Sequence, residues 1–262
     1  MPAPGEFQLR SETVGSLPIV NHFLARMGLG ELLERHLPHD DARLRLAPAT
    51  VIALVVRNLI VAHQPVYALA EWAAPYEAGL LGLGSADAGA VNDDRVGRML
   101  DRLFDTDRAS LITAVVLASV REFAVELSQL HNDSTTVTLS GNYRGATGGP
   151  RGGKPTPAIT YGHNKDHRPD LKQLLCVLSV SADGAIPVAF RTEDGNTDDD
   201  GTHIPTWDEL RALVGRADFL YVADCKLANR AAMDHIAGNG GRFVTVLPRS
   251  RKEDSEFRDW IW

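Results

Sequence analysis

Residues 130–139, LHNDSTTVTL, mark a change in the pattern of the sequence. They are rich in threonine and valine, residues that fit a half-buried, pleated strand. An apolar run follows at Leu174–Ser181, and after turn residues at 182–184 comes a third strand-like run, Ile186–Arg191. We predict that these three runs form adjacent antiparallel strands of one sheet.

Beyond residue 191 the pattern alternates between helix and strand. A helix that carries Trp207 and Leu210 precedes a short strand, Phe219–Ala223, and a second helix, Asn229–Ala237, precedes a fifth strand, Phe243–Leu247. The order is therefore strand, strand, strand, helix, strand, helix, strand. This order suits a mixed sheet flanked by helices, and it is the order of a ribonuclease-H-like core.

Before about residue 126 the apolar side chains recur at helical spacing. An apolar helix is predicted over Ala49–Ala62, and Asn92 and Asp107 are placed to cap two later helices. Gly28 and Gly30 are predicted to end the first helix. The predicted fold class is α+β, with a helical N-terminal domain at 1–126 and a ribonuclease-H-like mixed sheet flanked by helices at 127–262, incomplete at its C-terminus.

The composition is that of a globular chain, with 44% hydrophobic and 23% charged residues. The longest apolar candidate for a membrane span, Val51–Val56, stops at Arg57, far short of the length that a bilayer needs. Cys176 and Cys225 are far apart in apolar surroundings, which indicates buried thiols in a reducing compartment. No secretory signal is recognisable at the start of the sequence, so we expect a cytoplasmic protein.

Charge is distributed unevenly along the chain. The net charge is −7, which does not favour nucleic-acid binding, because phosphate neutralisation needs Lys and Arg. Residues 141–172 are different: they hold six Lys and Arg side chains against Asp166 and Asp170, a local charge of about +4. Within them Lys165, Arg168 and Lys172 are candidate contacts to DNA phosphates. A solvated loop at the edge of a strand explains these three residues equally well.

Two histidines in the same segment, His163 and His167, stand four residues apart. That spacing places two metal ligands on one face of a helix. Gly162, Asn164 and Pro169 disfavour a helix there. We therefore predict a loop and no histidine metal pair.

Aspartates occupy two strand positions that the hydrophobic pattern should exclude. Asp133 lies within the first predicted strand, and Asp224 ends the fourth. A carboxylate against a core strand is costly unless it is paired, hydrogen-bonded or bound to a metal. Such a pair of hard oxygen ligands on neighbouring strands would favour Mg²⁺ or Mn²⁺. The alternative is that Asp133 begins a turn and Asp224 caps the helix after its strand, and the spacing alone does not decide between the two.

Seven ordered blocks along the chain share a common resemblance: Leu17–Asn21, Asn92–Arg98, Leu130–Thr135, Gly162–Gln173, Asp194–Asp199, Tyr221–Lys226 and Phe243–Arg249. Together they resemble bacterial insertion-sequence transposases of the DDE type, in particular the insertion-sequence 1634-type family within the insertion-sequence 4 superfamily. The N-terminal blocks are similar to a helical region that precedes the catalytic core in that family.

The resemblance implies a function and a cofactor. It implies that Asp133 and Asp224 are catalytic residues and ligands of Mg²⁺ or Mn²⁺ in an enzyme that cleaves DNA and transfers the cut strand during transposition. The implied partners are the terminal inverted repeats, target DNA and further copies of the chain assembled on DNA, in a cytoplasmic protein associated with the nucleoid.

The resemblance also implies that the N-terminal region helps to bind the terminal repeats or a second subunit. Arg95 and Arg98 are candidate phosphate contacts there, together with Arg102 on the next turn. Pairing of these arginines with Asp94 and Asp101 is the alternative.

One departure from the family concerns its third acidic ligand, a Glu on a helix after the fifth strand. The sequence ends at Trp262, and the acidic residues at 253–259 are better explained as a solvated helix start. We expect that this Glu is missing and that the chain is truncated, a fragment or the first piece of an interrupted gene. The competing hypothesis is thus an inactive remnant that only binds DNA or a protein. A cellular ribonuclease-H-like nuclease would fit the fold but not the helical N-terminal half.

Overall fold

The computed structural model describes residues 11–37, 40–84, 87–165 and 167–261. The chain divides into two compact units, Met1–Glu122 and Phe123–Trp262. The boundary predicted from the sequence, between residues 126 and 127, lies next to this division.

The first unit is helical where the structure describes it. Its core is formed by apolar side chains from most of its helices, including Leu17, Leu33, Leu54, Leu69 and Met99. The helices are α1 (Leu17–Arg26), α2 (Leu29–His36), α3 (Pro48–Val61), α4 (Leu69–Ala73), α5 (Asp93–Asp105) and α6 (Arg108–Glu122).

The predicted helix starts at Asn92 and Asp107 are confirmed. The Asn92 side chain accepts a hydrogen bond of 2.8 Å from the Arg95 amide, and that of Asp107 accepts one of 3.1 Å from the Ser110 amide. The prediction that Gly28 and Gly30 both end the first helix is wrong for Gly30. Gly28 (φ 63°) makes the turn between α1 and α2, whereas Gly30 lies inside α2.

The second unit contains a mixed sheet of five strands in the order β3-β2-β1-β4-β5. β1 pairs antiparallel with β2 and parallel with β4, β2 pairs antiparallel with β3, and β4 pairs parallel with β5. This is the ribonuclease-H-like arrangement that the sequence predicts. The elements are β1 (Gln129–Leu139), β2 (Lys172–Ser181), β3 (Pro187–Glu193), α7 (His203–Val214), β4 (Leu220–Ala223), α8 (Arg230–Gly238), β5 (Arg242–Val244) and α9 (Lys252–Ile261).

One face of this sheet holds the core of the second unit. Parallel strands in one sheet require crossover connections, and right-handed crossovers through α7 and α8 place both helices on the same face. Trp207 of α7 is fully buried and stacks on Phe219 with ring centroids 6.2 Å apart. The opposite face carries Asp133 and several exposed apolar side chains, among them Leu178 and Phe190.

Cys176 and Cys225 are both free thiols, as predicted. Cys176 is half-buried, but the prediction that Cys225 is buried is wrong, because this residue lies in the turn after β4 and is exposed.

Among the described residues, no single helix combines the length and the hydropathy of a membrane span. The segments Pro48–Val61 and Val66–Ala73 meet both criteria only together, across a bend of 102°.

The backbone packs very closely where the loop before β2 meets the loop after β3. Gln173 donates a buried hydrogen bond of 2.6 Å from Nε2 to the carbonyl oxygen of Gly195. A Cβ atom added to Gly162 would lie 2.0 Å from that same oxygen, and one added to Gly195 would lie 2.1 Å from the Gln173 carbonyl oxygen. Both positions therefore require glycine for steric reasons.

We predict that Gly162→Ala lowers the free energy of unfolding by about 1–3 kcal/mol, because the new methyl group overlaps a backbone oxygen that cannot move independently. Gly238→Ala is the control, since a Cβ atom at the end of α8 meets nothing within 4 Å. Urea denaturation measures both changes. Equal stability of the two variants would contradict the close packing.

Candidate active site

The parallel pairing of β1 and β4 determines how Asp133 and Asp224 are placed. The last residues paired in register are Asn132 and Ala223, so the next position along both strands is Asp133 beside Asp224. Neighbouring strands lie about 4.8 Å apart, and residues paired in parallel strands project to the same face. Asn132 and Ala223 are buried, and both aspartates are exposed on the opposite face.

The carboxylate of each aspartate accepts a local hydrogen bond from a backbone amide. Asp133 Oδ1 accepts from the Ser134 amide at 2.8 Å, and Asp224 Oδ1 accepts from the Lys226 amide at 3.0 Å. The capping role considered for Asp224 is therefore present, in a short 3-10 turn at Cys225–Leu227. Because these bonds use Oδ1, the Oδ2 atoms can still accept another ligand.

Three further carboxylates lie close to this position, in the turn between β3 and α7. Asp199 Oδ2 is 3.5 Å from Lys165 Nζ. Lys226 Nζ is 3.4 Å from Asp200 Oδ1 and 3.9 Å from Asp198 Oδ1. The charge of Asp200 is the main cause of the raised pKa of Lys226. Two lysines thus partly balance a group of acidic side chains.

Lys165 reaches the β1 backbone next to the candidate site. Its ammonium group donates to the carbonyl oxygen of Ser134 and lies 3.1 Å from the Ser134 hydroxyl. Its own amide donates to the Thr136 hydroxyl at 3.3 Å. Of the three basic residues predicted in this loop, Lys165 is the one that the structure brings beside Asp133.

Lys172 and Arg168 are placed differently. Lys172 pairs with Leu139, six residues along β1 from Asp133, which corresponds to about 20 Å. The register therefore places Lys172 away from Asp133. Arg168 forms two hydrogen bonds with Asp170, at 2.8 and 2.7 Å. Asp166 lies outside the described residues.

The histidines of this loop do not share a helix. The described residues from Tyr161 to Asp170 contain no helical turn, and His167 has a φ of 55°. The prediction of a loop at His163 and His167 is confirmed.

In the first unit, Arg95 and Arg98 both lie on α5. Arg95 is half-buried, and its Nη1 atom has no hydrogen-bond partner among the described groups. Arg98 is exposed. Arg102 pairs with Asp40 at 2.7 Å, an acidic residue that the sequence did not single out as its partner.

His203 is a buried polar residue that the sequence analysis did not identify. It begins α7, is 3% exposed, and places Nδ1 3.1 Å from the Tyr221 hydroxyl. Nε2 has no partner among the described residues. Burial lowers the pKa of this imidazole below 6.5, and this effect outweighs the opposing influence of the carboxylates of Asp224, Asp200, Asp199 and Asp133. The side chain is therefore neutral at pH 7.

The second unit should lose stability in mild acid because of His203. The folded chain resists protonation of this imidazole, whereas the unfolded chain takes up the proton at a pKa of about 6.5. The free energy of unfolding therefore keeps its full value, as far as His203 is concerned, above about pH 6.5, and it declines as the pH falls through and below that value. We predict that the melting temperature falls less between about pH 7.5 and pH 5.5 in His203→Gln than in the natural chain. An identical pH dependence in both, with a freely titrating His203 signal in NMR spectra, would contradict this account.

Comparison with known proteins gives limited matches. The model of a domain of unknown function, DUF4277, matches residues 9–117, within the first unit. No curated protein matches the sequence.

Several solved transposase structures are similar to the chain. A piggyBac transposase synaptic complex with hairpin DNA is 11% identical with a TM-score of 0.45, over 88% of this chain and 52% of that one. A Mos1 mariner paired end complex with Mn is 11% identical with a TM-score of 0.30, over 95% and 81%. A Mos1 strand transfer complex is 13% identical with a TM-score of 0.29, over 91% and 69%. The chain spans about half the length of the piggyBac protein, and it is the chain's own strand order and register that define its fold.

Proposed function

We propose that the chain carries the catalytic sheet of a DDE-type DNA transposase of the insertion-sequence 1634-type family, which cleaves DNA and transfers the cut strand with the help of a divalent cation. The observation that carries this proposal is the β1–β4 register, which sets Asp133 beside Asp224 on one exposed face. The resemblance of the ordered sequence blocks to insertion-sequence transposases supports it independently.

Asp133 and Asp224 fit a small, hard cation. Mg²⁺ is usually held by one or two carboxylates, with water and phosphate oxygens completing its coordination. Each aspartate here has an Oδ2 atom that its local hydrogen bond does not use. In the part of the chain that the structure describes, no three His, Cys, Asp or Glu side chains are grouped as a metal site. The two aspartates are therefore the protein ligands that we assign.

A bound divalent cation would supply Lewis-acid activation of a phosphodiester and stabilisation of the leaving oxygen. The protein's own residues perform the other tasks. Asp133 and Asp224 would present their Oδ2 oxygens to the cation, since a backbone amide holds Oδ1 of each carboxylate. Lys165 provides a positive charge next to β1 that attracts a DNA phosphate toward the aspartates.

A catalytically inactive remnant that binds DNA or a protein is the second candidate function. It is favoured by the acidic residues after β5, because they form ion pairs with arginines that are close to them in sequence. Glu253 pairs with Arg251 at 2.6 Å, and Asp254 pairs with Arg258 at 2.8 Å. These contacts support the view that neither residue acts as the third metal ligand.

The metal assignment is tested by calorimetry with Mn²⁺. We expect Asp133→Asn and Asp224→Asn each to weaken Mn²⁺ binding at least tenfold, or about 1.4 kcal/mol, because each removes one of two anionic ligands. Asp234→Asn on α8 is the control, since Asp234 is exposed and forms an ion pair with Arg230 on the same helix. Equal affinity in the natural chain and the Asp133 variant would refute the site. Mn²⁺-dependent nicking of DNA separates the enzyme from the remnant.

The DNA-binding role is tested by salt dependence. We expect duplex binding to weaken as salt rises, and Lys165→Met to reduce the slope of log K against log salt by about 0.9, the contribution of one neutralised phosphate. Lys252→Met is the control, because Lys252 is paired with Glu256 on α9. A slope that is the same in the Lys165 variant as in the natural chain would remove this contact, and no binding at low salt would remove the role.

A further inference from the structure

Tyr161 is an aromatic side chain that the candidate active site does not use. The residue is 57% exposed, in the loop that precedes β2. The ammonium group of Lys172 lies 6.0 Å from the centroid of its ring. An exposed ring beside a cation is an arrangement that favours contact with a nucleobase and its phosphate.

The backbone on both sides of Tyr161 is held firmly. Thr160 and Gln173 exchange two backbone hydrogen bonds, of 3.3 and 2.8 Å. Gly162 lies against the backbone of Gly195, so closely that a Cβ atom at this position would not fit. The ring is therefore presented to solvent from a fixed position, and little conformational entropy is lost when a planar ligand stacks on it.

The basic surface continues beyond Lys172. The Lys172 ammonium donates a hydrogen bond of 2.8 Å to the carbonyl oxygen of Asn142. That bond anchors the segment in which Tyr143 and Arg144 follow, and both of these residues are exposed. We call Tyr161, Lys172, Tyr143 and Arg144 the tyrosine–lysine surface.

We propose that the tyrosine–lysine surface binds an unpaired DNA strand, with a base stacked on Tyr161 and the adjoining phosphate at Lys172. The bases of a duplex are covered by their neighbours, so stacking on Tyr161 selects a strand that is not paired. The positive charge of the surrounding segment complements the phosphates. This inference rests on the proposed function in taking DNA as the partner.

The register places the surface at a definite distance from the candidate active site. Lys172 is opposite Leu139, about 20 Å along β1 from Asp133. Duplex DNA rises roughly 3.4 Å per base pair, so about six base pairs of intervening duplex would span that distance. The unpaired segment therefore lies about six base pairs from a phosphate at Asp133 and Asp224.

The experiment uses the full chain and fluorescent oligonucleotides of mixed sequence, one single-stranded and one duplex, without added metal. We expect Tyr161→Ala to weaken single-strand binding about tenfold, as for the loss of one stacked base, and to change duplex binding less than twofold. Tyr161→Phe keeps the ring and should bind like the natural chain. Tyr67→Ala is the control, because Tyr67 is also exposed but lies in the first unit.

The outcomes separate this inference from the proposed function. Unchanged single-strand binding in Tyr161→Ala, an equal loss for duplex, or a Tyr161→Phe variant as weak as Tyr161→Ala would each overturn the stacking role. A selective loss in Tyr161→Ala supports it, even if calorimetry finds no Mn²⁺ bound at Asp133 and Asp224. In that case the metal site fails and the tyrosine–lysine surface stands.

Discussion

The parallel pairing of the short strand β4 with the first half of β1 is the constraint on which the second unit depends. It requires a crossover from β3 to β4, and that crossover is α7, whose Trp207 fills the core against Phe219. The same pairing brings together two aspartates that are separated by about ninety residues of sequence. A shift of one residue in the register would move Asp224 to the buried face, where a carboxylate is costly. The requirements of the core therefore fix the positions of the acidic side chains.

Charge around the aspartates is balanced by contacts of quite different kinds. Lys226 pairs with Asp198 and Asp200, and Lys165 pairs with Asp199 while it binds the β1 backbone. His203 lies among the same carboxylates but is kept neutral by burial. The positive charges are thus carried by exposed side chains, and exposed ion pairs of this kind contribute little to stability.

The sequence predicted the elements of the sheet well because local patterns encode them. A run rich in threonine and valine predicted β1 to within one residue, an apolar run predicted β2 to within two residues, and the helical spacing around Trp207 predicted α7. β5 is shorter than predicted, Arg242–Val244 instead of Phe243–Leu247, because its pairing with the short strand β4 ends at Val244, opposite Val222. The prediction that Asp133 and Asp224 lie on neighbouring strands followed from the order of the elements alone.

Contacts that depend on long-range approach of loops were not predictable in this way. The turn after β3 and the turn after β4 bring Lys226 next to Asp198 and Asp200. The hydrophobic periodicity of the sequence does not predict this contact, because the two turns are distant in sequence. The exposed position of Tyr161 could not be predicted from the sequence, because it follows from the close approach of Gly162 to Gly195. Lys172 shared a basic segment with Lys165, yet the β1–β2 register separates the two along the strand.

β1 extends well past the end of β4, and this step in the sheet has a consequence for solubility. From Asp133 onward, no strand among the described residues lies beside the edge of β1 that pairs with β4, and such free edges can recruit a strand from another molecule. Lys165 bonds to the Ser134 carbonyl and, through its own amide, to the Thr136 hydroxyl. The loop that carries this lysine thereby covers the edge at these two residues and disfavours edge-to-edge aggregation there.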